Sequence, residues 1–208
     1  MDKINYPIDS YRFVMSISSK SSHVQNLDEC LLYAEKRPFE NWQYLVKDLY
    51  VTIRPGVEAM LDAVAPHYDF IVWSNTDPAY VYAKLDAFWP QRHPIVDVYS
   101  SLQCKLKVEG GYGLPFYKDL KKIIKHHPQY QLAQIIALDD KPAVYKDFYG
   151  NFLLAHEFKG DLNDRHLERV TKFLVHIADE PNVRKIEKRW FKLDQQKWGL
   201  DDHTPGLD

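Results

Sequence analysis

The sequence predicts an α/β domain in which a central, mostly parallel sheet carries helices on both faces. Three short segments rich in β-branched and aromatic residues end in polar residues, which is typical of buried strands. Helical patterns lie between these segments, and strands that alternate with helices favour a parallel sheet. The predicted strands cover residues 11–17, 68–74 and 134–138.

The helices follow from their start signals and from the spacing of their apolar residues. Pro55 and Pro78 each stand where a helical pattern begins, and proline is favoured in the first turn of a helix. Residues 162–178 have apolar side chains at intervals that form one helix face. The predicted helices cover residues 56–65, 77–88, 116–127, 162–178 and 182 to about 198.

A small insertion is expected near residues 90–115, which are rich in turn-forming residues. Two segments in it, residues 96–102 and 104–110, are expected to pair as short strands. The cluster Gly110-Gly111-Tyr112-Gly113 lacks the strand-then-helix context of a phosphate-binding loop. It is therefore interpreted as a hairpin turn or flap.

Composition limits the class of protein without indicating an activity. The chain has 208 residues, of which 45% are hydrophobic and 14% aromatic, so it can bury a substantial core as one domain with additions, or at most two small domains. The net charge of −2 gives no electrostatic reason to expect nucleic acid or an anionic membrane as a partner. No apolar run approaches the roughly 20 residues of a membrane span. Cys30 and Cys104 lack metal-ligand spacing and are expected to be reduced.

Polar residues stand where the predicted strands end. Ser74-Asn75-Thr76 close the second strand, Asp139-Asp140 close the third, and Lys118 is placed in the first turn of the third helix. Because the carboxyl ends of parallel strands meet at one crevice, these groups are expected to converge. A hydroxyl and an ammonium suit phosphoryl oxygens, and carboxylates suit Mg²⁺.

Four motifs in order carry a resemblance to a known family. They are Arg54-Pro55-Gly56, YDFIVWSN, Tyr117-Lys118-Asp119-Leu120 and IIALDDKP. Together they resemble the haloacid-dehalogenase superfamily. The branch they resemble holds the RNA polymerase II carboxy-terminal-domain phosphatases, the NLI-interacting-factor-like phosphatases and the mitochondrial presequence-translocase receptor. The closing stretch from Gly160 is also similar to that branch. The resemblance implies a Rossmann-like haloacid-dehalogenase fold over residues 1–187, followed by a helix end and tail over residues 188–208.

The resemblance also implies where catalysis would take place. In active members the first strand ends in D-x-D-x-T, whose first aspartate is the nucleophile and a Mg²⁺ ligand and whose second is the general acid and base. The family pattern places Ser16 and Ser18 at these two positions and Lys20 at the threonine. Ser74, Lys118 and Asp140 match the remaining family positions. No two aspartates in the chain are separated by one residue, so no other register restores the motif.

These replacements predict a pseudo-phosphatase without catalytic residues, bound metal or cofactor. Serine has no carboxylate to accept the phosphoryl group, and its hydroxyl cannot act as a general acid near neutral pH. The degenerate site would comprise Ser16, Ser18, Ser74, Lys118, Asp139 and Asp140. Two interpretations of its remaining groups stay open. Lys118 could pair with Asp139 or Asp140 while Ser74 bonds to the backbone, or the crevice could keep a phosphate or phosphopeptide pocket.

The predicted function is that of an inactive domain kept as a structural or protein-binding subunit of a larger, mitochondrial assembly. Its partners would be protein subunits, with no nucleic acid and no direct membrane span, and the missing anchor argues against the translocase receptor itself. One alternative is an active Mg²⁺-dependent phosphoserine protein phosphatase, and another is a phosphopeptide-binding module. A nuclear or cytoplasmic location is the alternative to the mitochondrion. The run of residues 183–198 is interpreted as a solvated or packed terminal helix, with protein docking or nucleic-acid binding as the alternatives.

Overall fold

The chain alternates strands and helices through most of its length. The computed structural model describes residues 11–17, 30–106 and 116–188. The elements, in chain order, are β1 (Tyr11–Ile17), β2 (Leu32–Glu35), β3 (Tyr44–Val46), β4 (Leu49–Ile53), α1 (Val57–Val64), β5 (Tyr68–Ser74), α2 (Pro78–Phe88), β6 (Ile95–Tyr99), β7 (Lys105–Leu106), β8 (Phe116–Tyr117), α3 (Lys121–His126), β9 (Ile135–Asp139), β10 (Phe152–Leu154) and α4 (His166–His176).

Five parallel strands form the central sheet, in the order β10-β9-β1-β5-β6. Strand β1 is the middle strand and pairs with β5 from Tyr11↔Tyr68 to Ile17↔Ser74. On its other side β1 pairs with β9 as far as Met15↔Leu138. This register brings the carboxyl ends of β1, β5 and β9 to one edge of the sheet. The three predicted strands are confirmed, the third with a shift of one residue.

Helices cover both faces of the sheet, as the sequence predicts. The alternation along β9 shows the two faces, because Ile136 and Leu138 pack in one buried cluster and Ile135 and Ala137 in another. The first cluster contains apolar residues of α1 and α4. The second contains residues of α3 and of the 3-10 segment Pro142–Asn151. The α/β architecture is therefore confirmed.

The helix α1 begins directly after a glycine that the backbone requires. Gly56 precedes the helix with φ of 87°, in the left-handed region that side chains with a Cβ rarely adopt. The helix is one residue shorter at each end than predicted. In α2, Asp77 caps the first turn by accepting a hydrogen bond from Ala79 N at 2.9 Å, as the Asp77-Pro78 start signal indicates.

A second, antiparallel sheet in the order β2-β4-β3 was not predicted. Strands β3 and β4 are joined by Lys47 and Asp48, and Lys47 has φ of 57°. One side of this sheet packs against residues of α2, including Tyr80 and Ala83. The strands are three to five residues long, and such short segments give little periodicity in the sequence.

Two predictions around the insertion are wrong. Residues 116–127 do not form one helix, because Phe116–Tyr117 is strand β8 and the helix α3 begins only at Lys121. The two segments expected to pair with each other also separate. Strand β6 joins the central sheet beside β5, while β7 pairs antiparallel with β8. The glycine cluster of residues 110–113 lies outside the described residues, between those two paired strands.

The carboxyl-terminal helices are shorter than predicted. Helix α4 covers His166–His176, and Leu162, placed inside it by the sequence, is exposed. The helix expected from residue 182 is contradicted as far as residue 188, because only Val183–Lys185 forms a 3-10 turn there. Residues 189–208 lie outside the described part. Within the residues that the structure describes, no helix has the length and apolar character to cross a bilayer.

Arg54 ties the start of α1 to the start of α4 from inside the protein. Its guanidinium donates to both carboxylate oxygens of Asp164, at 2.9 and 2.7 Å. It also donates to the carbonyl oxygens of Cys30 and His156, at 2.9 and 2.7 Å. The Arg54 side chain is fully buried. Burial alone would raise the pKa of Asp164, but the hydrogen bonds and charge of Arg54 hold it below its ordinary value.

We predict that Arg54→Met lowers the free energy of unfolding by about 3–5 kcal/mol, because it leaves a partly buried carboxylate and two carbonyl groups without their donor. Urea denaturation followed by circular dichroism measures the loss. Arg92→Met is the matched control, since Arg92 also contacts both oxygens of Asp62 but is 49% exposed. Exposed ion pairs contribute little, so the control is expected to unfold nearly as the parent does. Equal losses for the two variants would contradict this role of Arg54.

Candidate functional site

The predicted polar residues meet at the carboxyl edge of the central sheet. Ser74 ends β5, Asp139 ends β9, and Asp140 follows it. Lys118 reaches the same edge from the loop between β8 and α3, not from a helix turn. The convergence predicted from the strand ends is therefore observed for these four residues.

Lys118 and Asp139 form an ion pair that is closed to solvent. The Lys118 ammonium lies 2.9 Å from Asp139 Oδ2, and both side chains have no exposed surface. The same ammonium donates to the carbonyl oxygen of Trp73 at 3.0 Å. It also lies 5.7 Å from the centre of the Tyr145 ring. The ion pair expected between Lys118 and one of the two aspartates is confirmed for Asp139.

The backbone around this pair fixes its position. The Lys118 N–H donates to the carbonyl oxygen of Val144 at 3.0 Å, which joins the loop after β8 to the 3-10 segment after β9. Asp139 Oδ1 accepts the N–H of Lys141 at 2.8 Å. The carbonyl oxygen of Asp139 accepts the N–H of Ala155 at 2.9 Å. Side-chain and backbone hydrogen bonds therefore both fix the positions of Lys118 and Asp139.

The Ser74 hydroxyl stabilises the turn that follows β5. Ser74 Oγ accepts the backbone N–H of Thr76 at 3.1 Å, and it shares a short hydrogen bond with Thr76 Oγ1. The residue has no exposed surface. The expected bond between the hydroxyl and the backbone is confirmed.

Asp140 is a buried carboxylate that contacts the ammonium of the next residue. Its side chain is 1% exposed, the Lys141 ammonium contacts Oδ2, and among the described residues no donor reaches Oδ1. Burial, followed by the nearby Asp139 charge, raises the pKa of Asp140 to about 7, against the opposing effect of Lys141. Asp140 is therefore partly protonated near neutral pH.

Ser16 is described only through its backbone. It pairs with Trp73 in β5, whose carbonyl oxygen binds Lys118. The preceding residue, Met15, pairs with Leu138 in β9. The end of β1 therefore lies between the two strand ends that hold the ion pair. Ser18 and Lys20 lie outside the described residues.

The described donor set does not fit Mg²⁺. A Mg²⁺ ion prefers octahedral coordination by hard oxygen ligands. Asp139 is committed to Lys118 and to a backbone N–H, and the Lys141 ammonium contacts Asp140. No group of three or more His, Cys, Asp or Glu side chains among the described residues could hold a metal ion.

Among the described residues, Lys118 does not present its ammonium to a phosphate. A phosphate pocket needs an ammonium that faces an open crevice, whereas Lys118 is fully buried between a carboxylate and a carbonyl oxygen. A phosphoryl group would have to displace Asp139 from an ion pair without solvent access. The residual-pocket interpretation is therefore disfavoured by geometry.

Some members of the site were not found from the sequence. Lys141 follows Asp140 in the motif IIALDDKP, so its position could have suggested a partner for that carboxylate. Cys104 was assigned no contact, yet its Sγ donates to Asn75 Oδ1 at 3.2 Å and accepts the Trp73 indole N–H at 3.3 Å. The Trp73 carbonyl group and the Tyr145 ring have no signal in the sequence, because their roles depend on tertiary structure.

The sequence matches the family of NLI interacting factor-like phosphatases over residues 23–184. The matched range is most of the chain, and it begins after the positions of Ser16 and Ser18.

Three relatives resemble the chain at 25–29% identity. One is the mitochondrial import inner membrane translocase subunit TIM50 of Gibberella zeae, at 25% over 78% of this chain and 28% of its own length. Another is the CTD nuclear envelope phosphatase 1 homolog of Caenorhabditis elegans, at 29% over 65% of this chain and 51% of its own length. A third is the CTD small phosphatase-like protein 2 of Dictyostelium discoideum, at 25% over 86% of this chain and 31% of its own length. The chain thus spans about a quarter to a half of these relatives.

Two solved structures share the fold. One is Fcp1, an essential RNA polymerase II CTD phosphatase, with a TM-score of 0.57 and 12% identity over 91% of this chain and 65% of that one. The other is a fission yeast Fcp1 variant bound to beryllium fluoride, with a TM-score of 0.50 and 15% identity over 92% of this chain and 57% of that one. These likenesses support the haloacid-dehalogenase fold that the sequence predicts.

We predict that Lys118→Met lowers the free energy of unfolding by about 3–5 kcal/mol, because it leaves the Asp139 charge buried without its partner. Adding Asp139→Asn should recover much of this loss, since a neutral amide needs no counter-charge. Urea denaturation of the parent, both single variants and the double variant gives the coupling energy. Additive effects would contradict the pairing. Stabilisation of the parent by inorganic phosphate, lost in Lys118→Met, would restore the phosphate-pocket interpretation.

We also predict that Asp140 contributes a loss of stability as pH rises from about 4 to about 7. The contribution is the difference between the parent and Asp140→Asn, because His166, whose pKa burial lowers to about 3, acts in the opposite direction in both proteins. The pKa of Asp140 is raised in the folded state, so the folded protein binds the proton more tightly than the unfolded chain does over this window. The stabilisation is complete below the unfolded pKa and is lost as pH passes the folded pKa. Asp140→Asn should remove this part of the slope and be more stable than the parent at about pH 8. Urea midpoints of both proteins across the range test it, and parallel curves would contradict it.

Proposed function

Because the chain belongs to the NLI interacting factor-like phosphatase family, we propose that it is a catalytically inactive member that serves as a structural or protein-binding subunit of a larger assembly. The observation that carries the proposal is the buried Lys118–Asp139 ion pair. In this pair the lysine at the family's phosphate-binding position binds a carboxylate of the protein in place of a phosphate.

The residues at the end of β1 support the absence of catalysis. Ser16 and Ser18 stand where the family resemblance places the two catalytic aspartates. A serine hydroxyl needs an adjacent base to become a nucleophile, and it cannot protonate a leaving alcohol at neutral pH. Hydrolysis of phosphate monoesters needs rate accelerations of up to about 10²¹-fold. Positioning by the remaining residues cannot supply such an acceleration.

The relatives support a role in protein assembly. TIM50 is by its name a subunit of an import translocase of the mitochondrial inner membrane, and it matches 78% of this chain. A mitochondrial complex is therefore the proposed location. The name of the nuclear envelope phosphatase homolog supports a nuclear location as the alternative. Since the chain spans only part of each relative, we carry over the role in an assembly and not the activity of the whole relative.

The first test is enzymatic. The purified chain, incubated with Mg²⁺ and an aryl phosphate, is expected to release phosphate no faster than its Ser16→Ala variant. Calorimetry is expected to detect no binding of Mg²⁺ or beryllofluoride. An active phosphatase of the family serves as the positive control for both assays. Mg²⁺-dependent turnover that Ser16→Ala abolishes would overturn the proposal in favour of an active phosphoserine phosphatase.

The second arm of this test asks whether the chain belongs to an assembly. Tagged protein isolated from native cells under mild conditions is expected to elute in a complex with defined partner subunits. A monomer without a stable partner would contradict the subunit role even if the chain is inactive. The two arms therefore separate the loss of catalysis from the gain of a binding role.

A further inference from the structure

An exposed leucine lies beside the carboxyl edge of the sheet, on a turn that polar contacts hold in place. Leu102 is 74% exposed in the 3-10 turn Ser101–Gln103. Ser100 and Gln103 form a capping box around this turn. The backbone N–H of Ser101 donates to the carbonyl oxygen of Thr76 at 2.9 Å, which anchors the turn to the end of β5. The turn therefore needs no apolar side chain at residue 102 for its own stability.

Lysines stand on the elements next to this turn, β7 and α3. Lys122 donates to the carbonyl oxygen of Gln103, at 2.5 Å, and so joins α3 to the turn. Lys105, whose side chain is 53% exposed, contacts the carboxylate of Asp119, and that carboxylate accepts the N–H of Lys121. Lys121 and Lys125 are exposed on α3. We call Leu102, Lys105, Lys121, Lys122 and Lys125 the basic rim.

Among the described residues, the basic rim carries four lysines and contacts one carboxylate, that of Asp119. Asp119, the carboxylate in contact with it, is only 8% exposed and is already paired with Lys105. The Asp119 carboxylate is therefore not available to neutralise Lys121 and Lys125, which are exposed. The whole chain nevertheless carries a net charge of −2, so the basic character is local.

We propose that the basic rim binds an acidic segment of a protein partner that also carries an apolar residue for Leu102. This inference rests on the proposed function and names the surface and the chemistry of the partner. Carboxylates complement the lysines, and complementary charge speeds association and selects partners. A single exposed leucine is common on protein surfaces and indicates nothing alone. Leu102 lies on an anchored turn beside β7 and α3, which carry the lysines, so it suits an apolar contact flanked by charge, which a nucleic acid backbone does not offer.

The experiment uses the native complex and a reagent that reports the proposed chemistry. Carbodiimide joins carboxylates directly to amines, so it links a lysine only to an acidic residue in contact with it. The tagged chain is isolated from native cells, treated with the carbodiimide, and analysed by mass spectrometry. Cross-links are expected from Lys105, Lys121 or Lys125 to Asp or Glu residues of a partner subunit.

A charge-reversed chain tests whether these contacts hold the complex. The rim variant combines Leu102→Ser, Lys121→Glu and Lys125→Glu. The matched control combines Leu45→Ser, Lys36→Glu and Arg37→Glu, because Leu45 is also exposed, at 58%, and the two basic residues are exposed near the antiparallel sheet. The rim variant is expected to retain at least tenfold less partner than the control, while both variants melt as the parent does. Lys121→Gln with Lys125→Gln gives a milder second variant should the reversal disturb folding.

The outcomes separate this inference from the function on which it rests. Partner retained equally by the rim variant and its control, or cross-links confined to other surfaces, would overturn the inference and leave the subunit role intact. Nuclease-sensitive nucleic acid on the parent, lost in the rim variant, would also overturn it. A parent chain that isolates without partners would remove the proposed function itself. Loss of the partner at about 1 M salt, where the Debye length is about 3 Å, is expected for contacts between exposed charges.

Discussion

The buried ammonium of Lys118 constrains the arrangement of the strand ends at the carboxyl edge of the sheet, because it needs acceptors from two of them. An ion of this size loses several kcal/mol of solvation on burial, even after the protein relaxes around it. Here two groups compensate for this loss: the Asp139 carboxylate from β9 and the Trp73 carbonyl oxygen from β5. These groups lie 2.9 and 3.0 Å from the Lys118 ammonium, so a shift of the end of β5 or β9 would leave the buried ammonium without one of its acceptors. The ends of β5 and β9 are therefore held together by electrostatics as well as by their common neighbour, β1.

Arg54 applies the same principle at another place in the fold. It joins Cys30, His156 and Asp164, residues 24 to 110 positions away in the chain, through one guanidinium. Buried ion pairs do not make a fold more stable than an apolar core would. They raise the free energy of partly folded states, because a state that buries one partner without the other contains an uncompensated buried charge. Both clusters therefore select one arrangement of the chain. An exposed pair such as Arg92–Asp62 does not restrict the fold in this way, because water solvates either charge when its partner is absent.

The sequence predicted those parts of the fold in which pattern and burial agree. Strands β1, β5 and β9 are short apolar runs that end in polar residues, a pattern typical of strands in a parallel sheet, and Gly56 and Asp77 mark helix starts by local chemistry. The prediction was wrong for residues 116–127, where apolar spacing suggested a helix but pairing with β7 made Phe116–Tyr117 a strand. Residues 30–53 gave no periodic signal, since their three strands are stabilised by packing on α2. At the site, strand ends located Ser74, Asp139 and Asp140, whereas Lys118 was expected from a helix turn and comes from the loop before α3. Which aspartate takes the lysine depended on side-chain geometry.

Charge balance bears on the loss of catalysis that we propose. By the family resemblance, an active member holds two aspartates at the end of β1 together with a Mg²⁺ ion. Ser16 and Ser18 in their places remove two negative charges, losing the metal removes two positive ones, and Lys20 at the threonine position adds one positive charge. Among the described residues, Lys118 pairs with Asp139 and Lys141 contacts Asp140. Retaining the metal after both aspartates are lost would leave two further positive charges without compensation. The proposed loss of both aspartates is therefore less costly when the metal is lost with them.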